Sequence, residues 1–203
     1  FRSAKSAANC RQPVKTFLVS LRKRPGAMEL IRKELSSGRQ AYFVYPLIEE
    51  SELLALPAAV KAHEDLSRQV FPEYKVGLVH GNLPPAEKEA ELGKFRRGEY
   101  RILVATVVVE VGIDVPNATV LFIEDASRFG LAQLHQLRGR VGRGAHPGYC
   151  LVGVDSSSRD LALRLKVFAS TADGFRIAEE DLKLRGPGDY LGVRQSGRPH
   201  FLL

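Results

Sequence analysis

Six short apolar runs punctuate the chain, at residues 14–21, 40–47, 75–80, 101–105, 119–124 and 149–154. Between them the apolar positions thin out to the spacing of amphipathic helices. Runs such as Ala41-Tyr42-Phe43-Val44-Tyr45 and Ile102-Leu103-Val104 are continuously apolar rather than alternating, which suits strands covered on both faces. The helical stretches carry their own start and stop signals. Pro25 opens one that runs to about Ser36, with Gly38 to end it, and Pro57 opens a second that runs to about Val70. Pro84-Pro85 open a third, with Ala86, Ala90, Leu92 and Phe95 as its apolar stripe before Gly98, and a fourth covers about residues 131–141. Strands alternating with helices in this way predict an α/β fold, a parallel sheet sandwiched by helices with right-handed connections.

After Val154 the pattern changes. Ser156-Ser157-Ser158 reads as a helix start, followed by Leu161, Leu163, Leu165, Val167 and Phe168. Asp173-Gly174 breaks that helix, and residues 175–184 read as a second one, so the two form a helical hairpin. The stretch Arg185-Gly186-Pro187-Gly188-Asp189-Tyr190-Leu191-Gly192 is too rich in glycine to continue it and predicts a loop. The expected organisation is a linker or poorly ordered end over residues 1–12, an α/β lobe over 13–155, and the hairpin and loop over 156–203.

Composition narrows the class. The chain has 203 residues, 44% hydrophobic and 26% charged, as in ordinary globular domains. No apolar run approaches the roughly 20 residues of a membrane helix, and the first residues lack a signal-peptide core. No membrane partner and a cytoplasmic location are therefore expected. Cys10 and Cys150 are the two cysteines, far apart, and the five histidines are scattered, so neither a disulfide nor a metal site is expected. The net charge of +7 favours phosphate-bearing partners, nucleic acid above all.

The most informative stretch is Gln136-Leu137-Arg138-Gly139-Arg140-Val141-Gly142-Arg143. On a continuous helix Arg140 and Arg143 share one face, and Gln136, one turn earlier, helps position Arg140. Such a guanidinium pair suits a polyphosphate whose charge must be neutralised as a bond breaks. Taken alone, the same residues also describe a solvated basic helix. Upstream lies Ala105-Thr106-Val107-Val108-Val109-Glu110-Val111-Gly112-Ile113-Asp114-Val115-Pro116. Thr106 ends a strand and can offer a hydroxyl and an amide to a phosphate, or is simply a β-branched strand end. Asp114, beyond the joint at Gly112, can accept hydrogen bonds from a ribose or an amide, or closes the turn before Pro116. His80-Gly81-Asn82 and Glu124-Asp125 follow other strands, at the edge where α/β sheets hold ligands. Asn82 and Asp125 read as turn chemistry.

In this order and spacing the two blocks resemble motifs V and VI of superfamily 2 helicases. The C-terminal pattern Asp173-Gly174-Phe175, Ala178-Glu179, Asp181-Leu182, Leu184-Arg185-Gly186-Pro187-Gly188-Asp189, Leu191-Gly192 and Arg194-Gln195-Ser196-Gly197 is similar to the translocation motif of the RecG family of DNA branch-migration helicases. Tyr45-Pro46-Leu47-Ile48-Glu49-Glu50-Ser51 and Arg128-Phe129-Gly130-Leu131 extend the likeness, which covers about residues 11–199. The related tail of transcription-repair coupling factor lacks the counterpart of Pro187.

The resemblance implies a RecA-like second motor lobe. It makes Arg140, Arg143 and Gln136 catalytic toward ATP, Gly112 and Asp114 nucleotide-binding, and His80, Gly81 and Thr106 DNA-binding. Arg164, Arg185 and Gln195 then couple ATP turnover to DNA movement, although Arg164 also reads as a partner for an acid such as Glu180. No Gly-x-x-x-x-Gly-Lys-Ser/Thr cradle occurs, since Gly93-Lys94 is followed by Phe95, and no Asp-Glu-x-His segment is present. ATP with Mg²⁺ would thus be held mainly by a first motor lobe, without which this lobe has no ATPase. The implied partners are forked and four-way DNA, the wedge domain and first lobe of the same protein, and single-strand binding protein, on the bacterial nucleoid. The alternatives are the equivalent lobe of transcription-repair coupling factor and a non-catalytic DNA-binding module, with the arginine pair arguing against the module.

Overall fold

The computed structural model describes residues 13–46, 52–106, 115–154 and 159–185, without the side chains of 52–55, 159–160 and 184–185. Among them six strands form one sheet: β1 (Lys15–Val19), β2 (Gln40–Val44), β3 (Val76–Val79), β4 (Ile102–Ala105), β5 (Ala118–Ile123) and β6 (Tyr149–Gly153). All neighbours are parallel, in the order β1-β6-β5-β2-β4-β3. Each strand lies within its predicted run to about a residue, except that β1 and β2 stop earlier. At β1 the chain turns at Ser20 into a 3-10 turn over Leu21–Lys23. At β2 the ladder ends after Tyr45, whose N–H donates to the Ala105 carbonyl at 2.9 Å, because Pro46 has no N–H to continue it.

The helices are α1 (Arg24–Ser36), α2 (Glu52–Asp65), α3 (Pro85–Arg96), α4 (Leu131–Arg138), α5 (Arg159–Ser170) and α6 (Gly174–Arg185). Two apolar layers flank the sheet, and the pleat sorts the strand residues between them. Tyr42, Val44, Leu103, Ala105, Leu121 and Ile123 join Leu92 and Phe95 of α3 and Leu131 and Leu134 of α4. The alternate residues Ala41, Phe43, Ile102, Val104, Val120 and Phe122 join Ala27, Ile31 and Leu35 of α1 and Ala59 of α2. This is the sandwich that the continuous apolar runs predicted.

Two expectations about helices are corrected. Pro57 lies inside α2, which begins at Glu52, and the expected single helix to Val70 gives way to a π-helical turn over Leu66–Val70. Pro57 lies past the first turn, where proline removes a helical hydrogen bond at a cost; burial of Ala59 and Leu66 supplies the packing that most helices depend on. The fourth helix stops at Arg138, short of the expected 141. Arg140 and Arg143 therefore do not share a helix face, and Gln136 does not sit on one face with Arg140.

The hairpin forms as predicted, with α5 and α6 around the break at Asp173. Leu161, Leu165, Phe168 and Ile177 are buried in the same apolar cluster as one face of the sheet. Leu163, in the expected stripe, is exposed instead.

Candidate functional site

Beyond Arg138 the chain meets two glycines, and a helix loses about 1 kcal/mol at each relative to alanine. Gly139 is the first non-helical residue, and Gly142 takes a left-handed conformation, φ 71°. The resulting turn is anchored on itself: the Arg143 Nε–H donates to the Gly139 carbonyl at 2.8 Å. That carbonyl is one of the acceptors a helix end leaves without an internal partner, and a cation there also suits the helix dipole. Arg140 and Arg143 are both half-buried at the surface, and Gln136 is exposed on α4.

Where this turn lies follows from close backbone packing. A Cβ added at Gly148 would stand 2.9 Å from the Cα of Gly142. One added at Gly144 would stand 2.4 Å from the carbonyl oxygen of Pro116. Gly148 immediately precedes β6, and Pro116 leads into β5. The arginine turn thus sits at the amino-terminal edge of the sheet, against the segment that ends in Val115 and Pro116. Gly112 and Asp114 belong to that segment but lie outside the described residues.

A polar network backs the same edge. Buried Glu34 accepts from Arg39 Nη1 at 2.7 Å and from the Thr119 hydroxyl at 2.8 Å. Arg39 Nη2 lies 3.4 Å from Nδ1 of His146, in the loop that follows Arg143. Asn117 Nδ2 donates to the Gly38 carbonyl at 2.9 Å.

The predicted DNA-facing residues gather at the opposite edge. Val79 and Ala105 are registered partners, so His80 and Thr106 leave the sheet side by side. The Thr106 N–H donates to the Val79 carbonyl at 3.2 Å. His80 Nδ1 and Thr106 Oγ1 are buried, yet neither has a hydrogen-bond partner among the described residues. An unmatched buried polar atom costs about 1–3 kcal/mol, so a pair of them side by side marks a place where something else can bond. Burial, and then the charge of Lys88, push the His80 imidazole below its ordinary value, so it is neutral at pH 7. Gly81 is exposed beside it.

The other polar residues of that edge are already engaged. Glu124 accepts from both terminal nitrogens of Arg24, at 2.6 and 3.2 Å. Asp125 is left-handed, φ 42°, and its carboxylate accepts from the Ser127 hydroxyl and from Arg128 Nε at 2.7 Å. It closes its own turn, as its sequence context suggested.

On the hairpin, Arg164 Nε lies 3.5 Å from Oδ1 of Asp181, an ion pair at long range without good hydrogen-bond geometry. Its acid is thus Asp181 rather than Glu180. Arg185 ends α6 with its side chain outside the described residues, as is all of Gln195.

Sequence reasoning missed Arg138. It is buried, with its guanidinium carbon 4.4 Å from the centre of the Phe168 ring. The signal was available, because Arg138 lies seven residues after Leu131 and four after Leu134, on the buried stripe of α4.

Among the described residues no group of three His, Cys, Asp or Glu is placed to hold a metal ion, and no helix is long and apolar enough to cross a membrane.

Comparison with known proteins places these observations. The helicase conserved C-terminal domain matches residues 26–145, and the C-terminal part of domain 3 of ATP-dependent DNA helicase RecG matches residues 171–202. The RecG helicase of Synechocystis sp. is 55% identical over 95% of this chain, and that of Thermotoga maritima 51% identical over 94%. The chain spans about a quarter of the length of these relatives, 23% and 24%. A solved structure of RecG bound to a three-way DNA junction superposes with a TM-score of 0.74 at 48% identity, over 89% of this chain and 23% of that one.

Proposed function

The chain belongs to the helicase conserved C-terminal domain family, in its RecG branch, and on that footing we propose that it is the second motor lobe of an ATP-dependent helicase that remodels branched DNA. The observation that carries this reading is the division of the site between the two edges of one sheet. The arginine turn occupies the amino edge beside the segment ending at Pro116, and His80 Nδ1 and Thr106 Oγ1, without partners among the described residues, occupy the carboxyl edge. A motor needs a nucleotide face and a track face that move together, and one rigid sheet provides both.

At the amino edge, Arg140 and Arg143 meet a triphosphate held by a first lobe and neutralise the charge that spreads over the transferring phosphoryl group. Gln136 orients the reacting groups, and Gly112 and Asp114 bind the nucleotide's sugar side. ATP supplies the phosphoryl-transfer free energy, with Mg²⁺ held by the first lobe. An arginine offered across an interface contributes on the order of 10³–10⁵ in rate in comparable enzymes, or about 4–7 kcal/mol of barrier. At the carboxyl edge, the Thr106 hydroxyl and the His80 imidazole take a DNA phosphate, with Gly81 allowing close approach and Lys88 adding charge. The hairpin, through Arg164, Arg185 and Gln195, converts turnover into movement along duplex arms. The reading also brings in the wedge domain and first lobe as partners on one chain, single-strand binding protein as a candidate, and the bacterial nucleoid as the setting.

The test is complementation. These 203 residues alone should show negligible ATPase, and joining a RecG first lobe on one chain should produce ATPase stimulated by forked DNA. A joined protein that binds forks but never hydrolyses ATP would leave a DNA-binding module as the better reading.

A further inference from the structure

Neighbouring strand ends form a single row along the carboxyl edge of the sheet. The Glu124 N–H donates to the Val44 carbonyl at 2.8 Å, that of Tyr45 to Ala105 at 2.9 Å, and that of Thr106 to Val79 at 3.2 Å. Each ladder therefore runs one residue beyond its last registered pair, and Glu124, Tyr45, Thr106 and His80 stand abreast. Two residues earlier on each strand, Phe122, Phe43, Val104 and Leu78 all pack in the apolar layer shared with α1 and α2. Side chains alternate along a strand, so the whole row rises on that face.

The two ends of the row differ. At one end His80 Nδ1 and Thr106 Oγ1 are buried without partners among the described residues. At the other end, beside Tyr45 and Glu124, a cleft of about 640 Å³ opens between α1 and α2. That is the size of a small-molecule site. Pro25 and Met28 of α1 and Ala58 and Ala62 of α2 give it apolar walls. The charges around it cancel. Glu124 accepts from both terminal nitrogens of Arg24, and Lys61 and Asp65 stand one helical turn apart on α2. A phosphate meets no surplus cation there. A neutral planar heterocycle meets apolar walls, the Tyr45 ring, and the Gln69 amide and Asp65 carboxylate for its polar edge.

From this row we propose that the cleft between α1 and α2 is a nucleobase pocket, which takes one unpaired base of the branched DNA whose phosphate rests on Thr106 and His80. Tyr45 and Thr106 are one strand spacing apart, about 4.8 Å, so a single nucleotide spans both places. A base inside a duplex is stacked and paired, and extracting it costs free energy; an unpaired base at a junction enters without that cost. The cleft thereby distinguishes a branch point from an uninterrupted arm, which backbone contacts alone do not. The inference rests on the helicase reading and deepens it.

The test uses the full-length helicase that carries this lobe and a forked DNA with unpaired nucleotides beside the junction. The probe is the same fork with one unpaired nucleotide made abasic, each position in turn, and the readout is the ratio of the two dissociation constants. In the unsubstituted protein one position should cost about tenfold, near the lower end of what stacking a single base contributes. Ala58→Leu fills the cleft from an exposed helical position, and Tyr45→Leu removes the ring; each should abolish the difference between the two forks. Thr106→Val acts on the phosphate, so it should weaken both forks alike and keep the ratio. Partial unfolding also weakens both by one factor, so the ratio reads the pocket alone. An unsubstituted protein indifferent to every abasic position, or a penalty that survives in either Ala58→Leu or Tyr45→Leu, would overturn the inference while leaving fork binding intact. Failure of the unsubstituted protein to bind forks at all would overturn the helicase reading, and this inference with it.

Discussion

Gly144 lies against Pro116 so closely that any side chain there would collide with backbone, its Cβ 2.4 Å from the proline carbonyl oxygen. This contact joins the arginine turn to Pro116, which leads into β5 and lies about thirty residues earlier in the sequence. Gly144→Ala should therefore displace the turn without touching any reacting group. A misplacement of about 1 Å can cost on the order of 10² in rate. In the full-length enzyme ATP hydrolysis should fall by that order while fork affinity holds, and wild-type hydrolysis would show that the contact does not position the arginines.

Arg143→Ala and Arg140→Ala should each lower ATP turnover by on the order of 10³–10⁵. Lysine should rescue poorly at either position, because it lacks the planar fork that spans two phosphate oxygens. Steady-state hydrolysis with nucleotide affinity measured alongside will separate this from a binding defect. An Arg143→Lys enzyme with near-normal turnover would remove Arg143 from the catalytic set.

Thr106→Val separates function from stability. The Thr106 hydroxyl is buried without a partner among the described residues, so replacing it with a methyl of the same shape should leave the melting temperature unchanged or raise it. DNA-stimulated ATPase should drop at the same time. A melting temperature that falls while DNA stimulation survives would mean that the hydroxyl serves the fold.

Glu34→Ala should be strongly destabilising, by about 3–5 kcal/mol, because it strands a mostly buried cation. The Arg39 side chain is 21% exposed and that of Glu34 is 4% exposed. Thr119 loses its acceptor as well. Urea unfolding will measure the loss, and a change below 1 kcal/mol would show that water replaces the pair.

Alkaline pH should weaken the fold. Burial pushes the Cys150 thiol from its ordinary 9.0 up to about 12, an effect the nearby charge of Arg138 partly offsets. Burial, then the charge of Glu124, also raises the Tyr45 phenol. A raised acid is protonated in the folded state where the unfolded chain has already lost its proton. The stability from Cys150 is thus complete below pH 9.0 and is lost as pH climbs toward about 12. Each unit of that window costs about 1.4 kcal/mol per group. Cys150→Ala should flatten the alkaline slope of urea midpoints, and an identical slope would assign it to other groups.

The α/β sandwich and the hairpin were legible because strand and helix periods are local. Continuous runs such as residues 41–45 and 102–104 can be buried on both faces in few other ways. Polar residues at strand ends were legible only as a set. Asp125 and Thr106 look alike in sequence, and only the structure shows Asp125 closing its own turn while the Thr106 hydroxyl has no partner among the described residues.

By itself, the sequence determined which residues enter the sheet and where most helices begin, and it placed the guanidinium pair on the fourth of them. Only the tertiary structure decided that this helix stops at Arg138, that Pro57 lies within a helix, and that Arg138 turns inward to cap α5. The difference is physical. Propensity and periodicity act over a few neighbours, whereas a helix end or a buried cation is settled by whichever distant backbone supplies its missing hydrogen bonds.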